Sequence, residues 1–303
     1  RGGAVLEARF VRNAPTLAAF YDLSIGPTSF DFVVFLVQAE MARRRGGHGH
    51  LHVVFLHDER GPGGFRDKGH LYDEHEARWR FANICVPACA LLGASLTVSA
   101  SRSAGIELGL GRDRYTWPDD WDRQTLKVRR HLIGDVIARA RAGEAVPRLE
   151  ASTYARRKVR EYFSNLRKPV VTVTVRKTYL EERNLDVSAL SAVISHIERA
   201  GYAVKILCDT GTALGLGSGY GELNLDLRMA CYQEAALNLQ ANNGAASLCW
   251  FSERPYLMFD AGVPAEEWDG LFVKQGLPLG ESWPWTIPGQ RLVYGKADGA
   301  RMI

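Results

Sequence analysis

VVTVTVRKTYLEERNLD, residues 170 to 186, is an apolar β-branched run that stops at two cations, Arg176 and Lys177. Two heavy atoms on Cβ favour extended backbone, which accounts for a strand. Strand propensity does not ask for positive charge at its carboxyl end. In an open α/β sheet, however, ligands bind outside the carboxyl ends of the strands. The meaning of Arg176 and Lys177 therefore rests on whether the flanking sequence builds such a sheet.

Read outward, it does. Lys168-Pro169 introduces the strand, and DVSALSAVISHIERAGY (186–202) follows as a helix whose Leu190, Val193, Ile194 and Ile197 share one face. Gly201 stops that helix, AVKILCD (203–209) is the next strand, LRMACYQEAALNLQ (227–240) the next helix and ASLCWFS (246–252) another strand. The earlier sequence repeats the scheme. AFYDLSIG (19–26) reads as a strand, GPTS as a turn with a hydroxyl cap, FDFVVFLVQAEMARRR (30–45) as a helix and LHVVFLH (51–57) as a strand. The Gly-rich charged loop HDERGPGGFRDKG (57–69) leads into the helical YDEHEARWRFANICVPACALLG (72–93), interrupted by Pro87, and then the strand ASLTVSAS (94–101). Helices near 126–142 and 154–166 join the two parts. Strand alternating with helix implies parallel sheets, arranged as two Rossmann-like βαβ units split near residue 150 or as one continuous doubly wound domain.

Composition narrows the partners. Thirty-eight Lys and Arg against 34 Asp and Glu leave a net charge of +4 over 303 residues, which suits an anionic small ligand and falls short of a nucleic-acid footprint. Arg43-Arg44-Arg45, the densest basic run, closes an apolar helix where cations complement the dipole. The five cysteines lie at 85, 89, 208, 231 and 249, mostly inside apolar runs, and read as reduced core residues rather than disulfides or zinc ligands. No apolar run reaches membrane-spanning length and no signal peptide opens the chain, so the expected location is cytoplasmic, with peripheral membrane association compatible. The chain begins with Arg, which leaves open that it is a piece of something longer.

The loops after the later strands carry the chemistry. Arg176, Lys177 and Thr178 follow the first, Asp209 and Thr210 the second, Ser252, Glu253 and Arg254 the third. Cations, hydroxyls and backbone amides freed by glycine are the groups a diphosphate needs. GTALGLGSGYGEL (211–223) matches neither a P-loop nor GxGxxG. His48, His50 and His52 alternate on a strand, where a polar turn into an edge strand competes with a metal grip, and no metal is expected. Asn242-Asn243-Gly244 reads as a helix C-cap with a secondary binding role, and Trp283-Pro284-Trp285 as a packed crossover or a stacking platform.

VTVRKT (173–178) resembles the strand-end motif of the fucosyltransferase superfamily, the protein O-fucosyl and α1,6-fucosyl enzymes and their bacterial relatives. ILCDT (206–210) and LCWFSE (248–253) resemble that family's next two strand ends, in the same order and spacing. The resemblance implies a GT-B glycosyltransferase, with Arg176 on the donor diphosphate and Asp209 and Ser252 close to the nucleotide. Thr174 stands where those enzymes often carry His, Lys177 replaces a second Arg and Thr210 a second acid, which leaves the base and the sugar open.

The expectation is an inverting, metal-independent transferase without a cofactor, taking a nucleotide-diphosphate sugar, GDP-linked among the candidates, to a glycan or lipid-linked acceptor. Residues 1–150 form the acceptor-side unit and 151–303 the donor-side unit. Donor contacts fall to Arg176, Lys177, Thr178, Asp209, Thr210, Ser252 and Glu253. The base that takes the acceptor proton comes from Asp22, His57 or Asp58, with Asp31 assigned to its helix N-terminus. A GT-B epimerase or hydrolase, and a non-catalytic nucleotide- or glycan-binding module, are the alternatives.

Overall fold

TLAAFYD and HLHVVFL are apolar at most positions, the pattern of strands covered on both faces, and they become β1 (Thr16–Asp22) and β2 (His50–Leu56), the inner pair of a four-stranded sheet. The computed structural model describes residues 15–65, 73–98, 101–110, 114–121, 132–175, 187–208, 224–241, 243–259 and 272–294. β3 (Ser95–Val98) pairs with β2, and β4 (Arg114–Trp117) with β1, all parallel, in the order β3-β2-β1-β4. On one face Tyr21 meets Phe32 and Phe35 of α1 (Asp31–Arg45) edge-on, each with ring centroids 4.8 Å apart. On the other, Ala18, Phe20, Val54 and Leu56 are covered by Ile106 of α4 (Arg102–Gly109) and by Trp121, which stacks on Phe20 at 4.3 Å.

Between β2 and β3 the chain is helical through α2 (Glu74–Arg80), one π-turn (Phe81–Cys85) and α3 (Val86–Ala90). Pro87 was expected to interrupt this helix. The regular α-helical bonding does break there: Pro87 sits in the first turn of α3, directly after the widened π-turn in which Val86 N–H donates to Phe81 O.

The second sheet is also parallel: β5 (Val170–Val175), β6 (Ala203–Cys208), β7 (Leu237–Gln240), β8 (Tyr256–Met258) and β9 (Gln290–Leu292), in the order β6-β5-β7-β8-β9. VVTVTV divides by its period of two. Val171, Val173 and Val175 pack on Leu190, Val193 and Ile197 of α7 (Val187–Arg199), the helix face expected from spacing. Thr172 and Thr174 turn to the opposite face and are fully buried there, Thr172 donating to Asn238 and Thr174 bonded to the Tyr232 hydroxyl at 2.9 Å.

Two expected elements change type. The helix expected over 227–240 is α8 (Leu225–Glu234) followed by β7, and the strand expected over 246–252 is α9 (Ala246–Trp250). LNLQ continues a plausible helical pattern, but in the fold Asn238 lies opposite Thr172 and its amide donates to Tyr232 O and Pro255 O, bonds only a strand there can make. Ala246 to Cys249 are buried all round, and a short apolar run of that kind is equally consistent with a buried strand or a buried helix. Asn243 accordingly marks a beginning: its Oδ1 accepts from Ala246 N–H at 3.0 Å at the entry to α9.

One apolar core runs through both sheets. The segment joining them, between α5 (Gly134–Arg141) and α6 (Thr153–Ser164), is bonded along its length. Leu149 N–H donates to Phe251 O at 2.8 Å, Glu150 N–H to Leu91 O at 2.9 Å and Ala151 N–H to Gln233 Oε1 at 2.8 Å. Half-buried Arg148 donates to Ser252 O and Trp285 O, and burial pulls its guanidinium below its ordinary value.

Candidate functional site

Each sheet has a point where the strand order reverses, between β1 and β4 in the first and between β5 and β7 in the second. Loops diverge there and leave a crevice at the carboxyl edge.

At the first edge Asp22 ends β1 with only 5% of its surface exposed. Ser24 N–H and Oγ donate to its Oδ1 at 2.9 and 2.6 Å, and Arg102 of α4 donates to its Oδ2 at 2.7 Å. The hydrogen bond it donates to Asp22 raises the Arg102 guanidinium above its ordinary value. Burial opposes the rise, and the charges of Asp22, Glu59 and Asp58 add to it. Arg102 thus pairs with Asp22 at the end of β1 and lies within the field of Asp58 and Glu59 after β2. His57 follows β2, its ring 6.1 Å from that of Phe65. The loop closes over it at Gly64, whose φ of 89° suits glycine and where a Cβ would fall 2.5 Å from His57 Nδ1. Asp58 holds the same loop, its N–H donating to Gly64 O at 2.8 Å and its Oδ1 accepting from Arg60 N–H at 3.0 Å.

At the second edge the polar face of β5 continues into a buried network. Tyr232 bridges Thr174 and Arg228 of α8, and Arg228, also fully buried, donates to Cys208 O at the end of β6. Burial pushes the Tyr232 phenol up, the Arg228 charge opposing it. Gln240, the cross-strand partner of Thr174, donates to Cys249 Sγ at 3.2 Å while its Oε1 has no partner, and Asn243 Nδ2 and Ser247 Oγ are likewise buried without one. Buried amides without partners are uncommon and carry a desolvation cost. Here they cluster in sequence on the turn that leaves β7.

The two edges meet. Phe30, in the turn after β1, packs against Gly244, in the turn after β7, so closely that a Cβ on Gly244 would sit 3.1 Å from Phe30 Cβ and Cδ2. α1 and α9, which start from those turns, pack on each other.

Asp22, His57 and Asp58 therefore share the first carboxyl edge. Arg176, Lys177, Thr178, Asp209 and Thr210 lie outside the described residues, next in sequence to the ends of β5 and β6. Ser252 and Glu253 correct the expectation of a strand end: they follow α9 and precede β8, which puts them at the amino edge. Ser252 is fully buried, its Oγ donating to Cys249 O and its carbonyl accepting from Arg148 and Gln290. Sequence reasoning missed Arg102, Arg228, Gln240 and the partnering of Asn243. A polar Ser-Arg-Ser following a strand was the available signal for Arg102.

The histidine triplet does not converge. His52 bonds Ser95 and Thr97 hydroxyls, both at 2.7 Å, His48 packs on Tyr115 and His50 is exposed. Trp283 and Trp285 are a packed crossover, stacked on each other at 5.4 Å and, through Trp285, on Phe251 at 5.5 Å. Among the described residues no helix is long and apolar enough to cross a membrane.

No family model matches the chain and no curated protein matches it. Among solved structures it is similar to the bacterial iron-containing dodecameric glycosyltransferase TibC from enterotoxigenic E. coli H10407, at 14% identity and a TM-score of 0.43, covering 96% of this chain and 65% of that one. It is also similar to a glycosyl transferase family 9 protein from Veillonella parvula DSM 2008, at 12% identity, a TM-score of 0.43 and 80% coverage of each chain. A third similar structure is the E. coli heptosyltransferase WaaC with ADP-2-deoxy-2-fluoro heptose, at 12% identity and a TM-score of 0.36, covering 80% of this chain and 88% of that one. The chain thus spans less than two thirds of the TibC chain, 65% of its length.

Proposed function

We propose that the protein is a glycosyltransferase moving a sugar from a nucleotide-diphosphate sugar to a hydroxyl of a glycan or lipid-linked acceptor beside the contact between Phe30 and Gly244. One observation carries the reading: the turn after the carboxyl end of β1 packs on the turn after the carboxyl end of β7, which supports a single site built from both sheets. Residues 1–150 supply the acceptor side and 151–303 the donor side.

In this reading Arg176 and Lys177 neutralise the departing diphosphate, doing without a divalent ion, and Thr178, Asp209 and Thr210 complete its seat. Gln240 and Asn243, buried at the end of β7, support the turn beneath that seat through their bonds to Cys249 and Ala246 rather than lining it. The acceptor oxygen bonds to the anomeric carbon as the diphosphate leaves with the electron pair of the old bond, inverting the centre. The acceptor proton passes to a base on the first edge. Asp22 already serves Ser24 and Arg102 with both oxygens, which favours a positioning role and leaves proton acceptance to His57 or Asp58.

Thermal shift with GDP, UDP, ADP, CMP and TDP tests the donor seat, because a ligand that binds the native state raises its stability. One nucleotide should raise the midpoint, and Arg176→Ala should weaken its binding by about 1.5–3 kcal/mol. Transfer should persist in EDTA. A panel without response, or an unchanged affinity in Arg176→Ala, overturns the assignment.

A further inference from the structure

α6 buries Ala155, Val159 and Phe163 on one face and turns Tyr154, Arg157, Lys158 and Tyr162 outward along the other. The two tyrosines are 62% and 47% exposed, high for aromatic rings. Both carry a cation: Arg157 lies over the Tyr154 ring and Lys205 of β6 over the Tyr162 ring, each 5.7 Å from the centroid. Arg167 and Lys168, exposed in the turn before β5, prolong the basic surface, and Arg156 and Arg160 flank it through their pairing with Glu234. Among the described residues seven cations stand there against three carboxylates, Glu161, Glu234 and Asp226, with Glu161 paired to Arg157 and Lys158 and Glu234 to Arg156 and Arg160.

We propose that this flank docks the protein on an anionic lipid surface. The phenol ring has an apolar body and a polar tip, which suits the headgroup layer, and clustered Lys and Arg are drawn to anionic leaflets. The outward stripe has no Leu, Phe or Trp to enter the acyl region, so adsorption is shallow, reversible and dependent on charge. A single-stranded nucleic acid fits less well, since the helix face is convex and a cation already covers a face of each ring that a base would use.

The orientation is consistent with work at a surface. α6 lies parallel to α8, with Ser152 bonded to Asp226 in the first turn of α8 and Arg160 to Glu234 in its last. α8 runs from the carboxyl edge back to the amino edge, so α6 spans the flank beside β6, the edge strand. A plane against α6 lies alongside the strands and leaves the carboxyl edge open at its margin.

Co-sedimentation of the full chain with vesicles tests this without nucleotide or acceptor, so its outcome is separate from that of the transfer reaction. The protein should bind phosphatidylcholine vesicles containing about a third phosphatidylglycerol, ignore pure phosphatidylcholine, and bind at least tenfold more weakly when salt rises from ~0.1 to ~0.5 M. Arg157→Glu combined with Lys158→Glu should weaken binding at least tenfold, Lys168→Glu about threefold to tenfold, with circular dichroism unchanged. If the double variant fails to fold, Lys168→Glu and the salt series still decide. Equal binding to neutral vesicles, absence of binding, charge-reversed variants that bind like the wild type, or tighter binding to a 20-nucleotide DNA than to the anionic vesicles would each overturn the proposal.

Discussion

Replacing Asp22 by Asn removes a negative charge from a side chain that is 5% exposed and holds three donors. Two of the bonds survive, because an amide oxygen still accepts from Ser24 N–H and Oγ. The third is inverted, since the new amide NH2 faces the Arg102 guanidinium, which lies 2.7 Å from Oδ2 in the wild type. A hydrogen bond to a charged group contributes about 1.5–3 kcal/mol, and breaking a fully buried ion pair costs about 3–5 kcal/mol. Arg102 keeps 28% of its side chain in solvent, and water there recovers part of the lost solvation. The lower range applies, a loss of about 2 kcal/mol, or roughly 3 °C in the thermal midpoint for a chain of 303 residues. Calorimetry on Asp22→Asn, Arg102→Gln and the double variant measures it. The double variant should lose little more than either single one, because the pair is broken once. Strictly additive losses, or a midpoint within about 1 °C of the wild type in Asp22→Asn, refute the claim that this pair ties the end of β1 to α4. The same cycle sorts the catalytic roles. If Asp22 acts through Arg102, both single variants lower transfer alike, whereas a proton-accepting Asp22 makes its own loss far the larger.

Asp22→Ala, His57→Ala and Asp58→Ala should leave donor affinity nearly unchanged in calorimetry, while His57→Ala or Asp58→Ala lowers transfer by roughly a hundredfold, the usual contribution of a base. Wild-type rates in both would remove them from that role. Burial raises the Glu40 carboxyl, but hydrogen bonds and charge from Arg43 and Arg44 outweigh it and hold the group below its ordinary 4.5. Its stabilisation is therefore present above that value and lost as pH falls through the lower folded one, so Glu40→Gln should flatten the acid limb of a stability profile. An acid limb that keeps its wild-type slope counts against this. Gly244→Val should cost about 1–3 kcal/mol in urea unfolding by crowding Phe30, and Phe30→Leu should recover part of the loss; a neutral Gly244→Val would mean the turns are farther apart than described. All five cysteines are buried, with Cys89 pushed up to about 12 and Cys231 to about 11 by burial, so a thiol reagent should react only on unfolding. Rapid labelling of any of them in the native protein contradicts that.

Local pattern determined much of this protein from the sequence alone. β-branched runs and helical spacing are short-range properties, so β1, β2, β5, β6, α1 and the inward face of α7 were legible. Alternation of strand and helix carried the parallel sheets with it, because a parallel pair needs a crossover. Tertiary partners decided the rest. LNLQ became a strand because Asn238 accepts from Thr172 across the sheet and donates to the Tyr232 carbonyl, and the buried run from Ala246 became a helix with Asn243 capping its start. That exchange moved Ser252 and Glu253 to the amino edge and brought Asn243 to the carboxyl one. Arg102 reached Asp22 across 80 residues, and Phe30 met Gly244 across the seam. No local period encodes contacts of that range; they arise only when two sheets share one core.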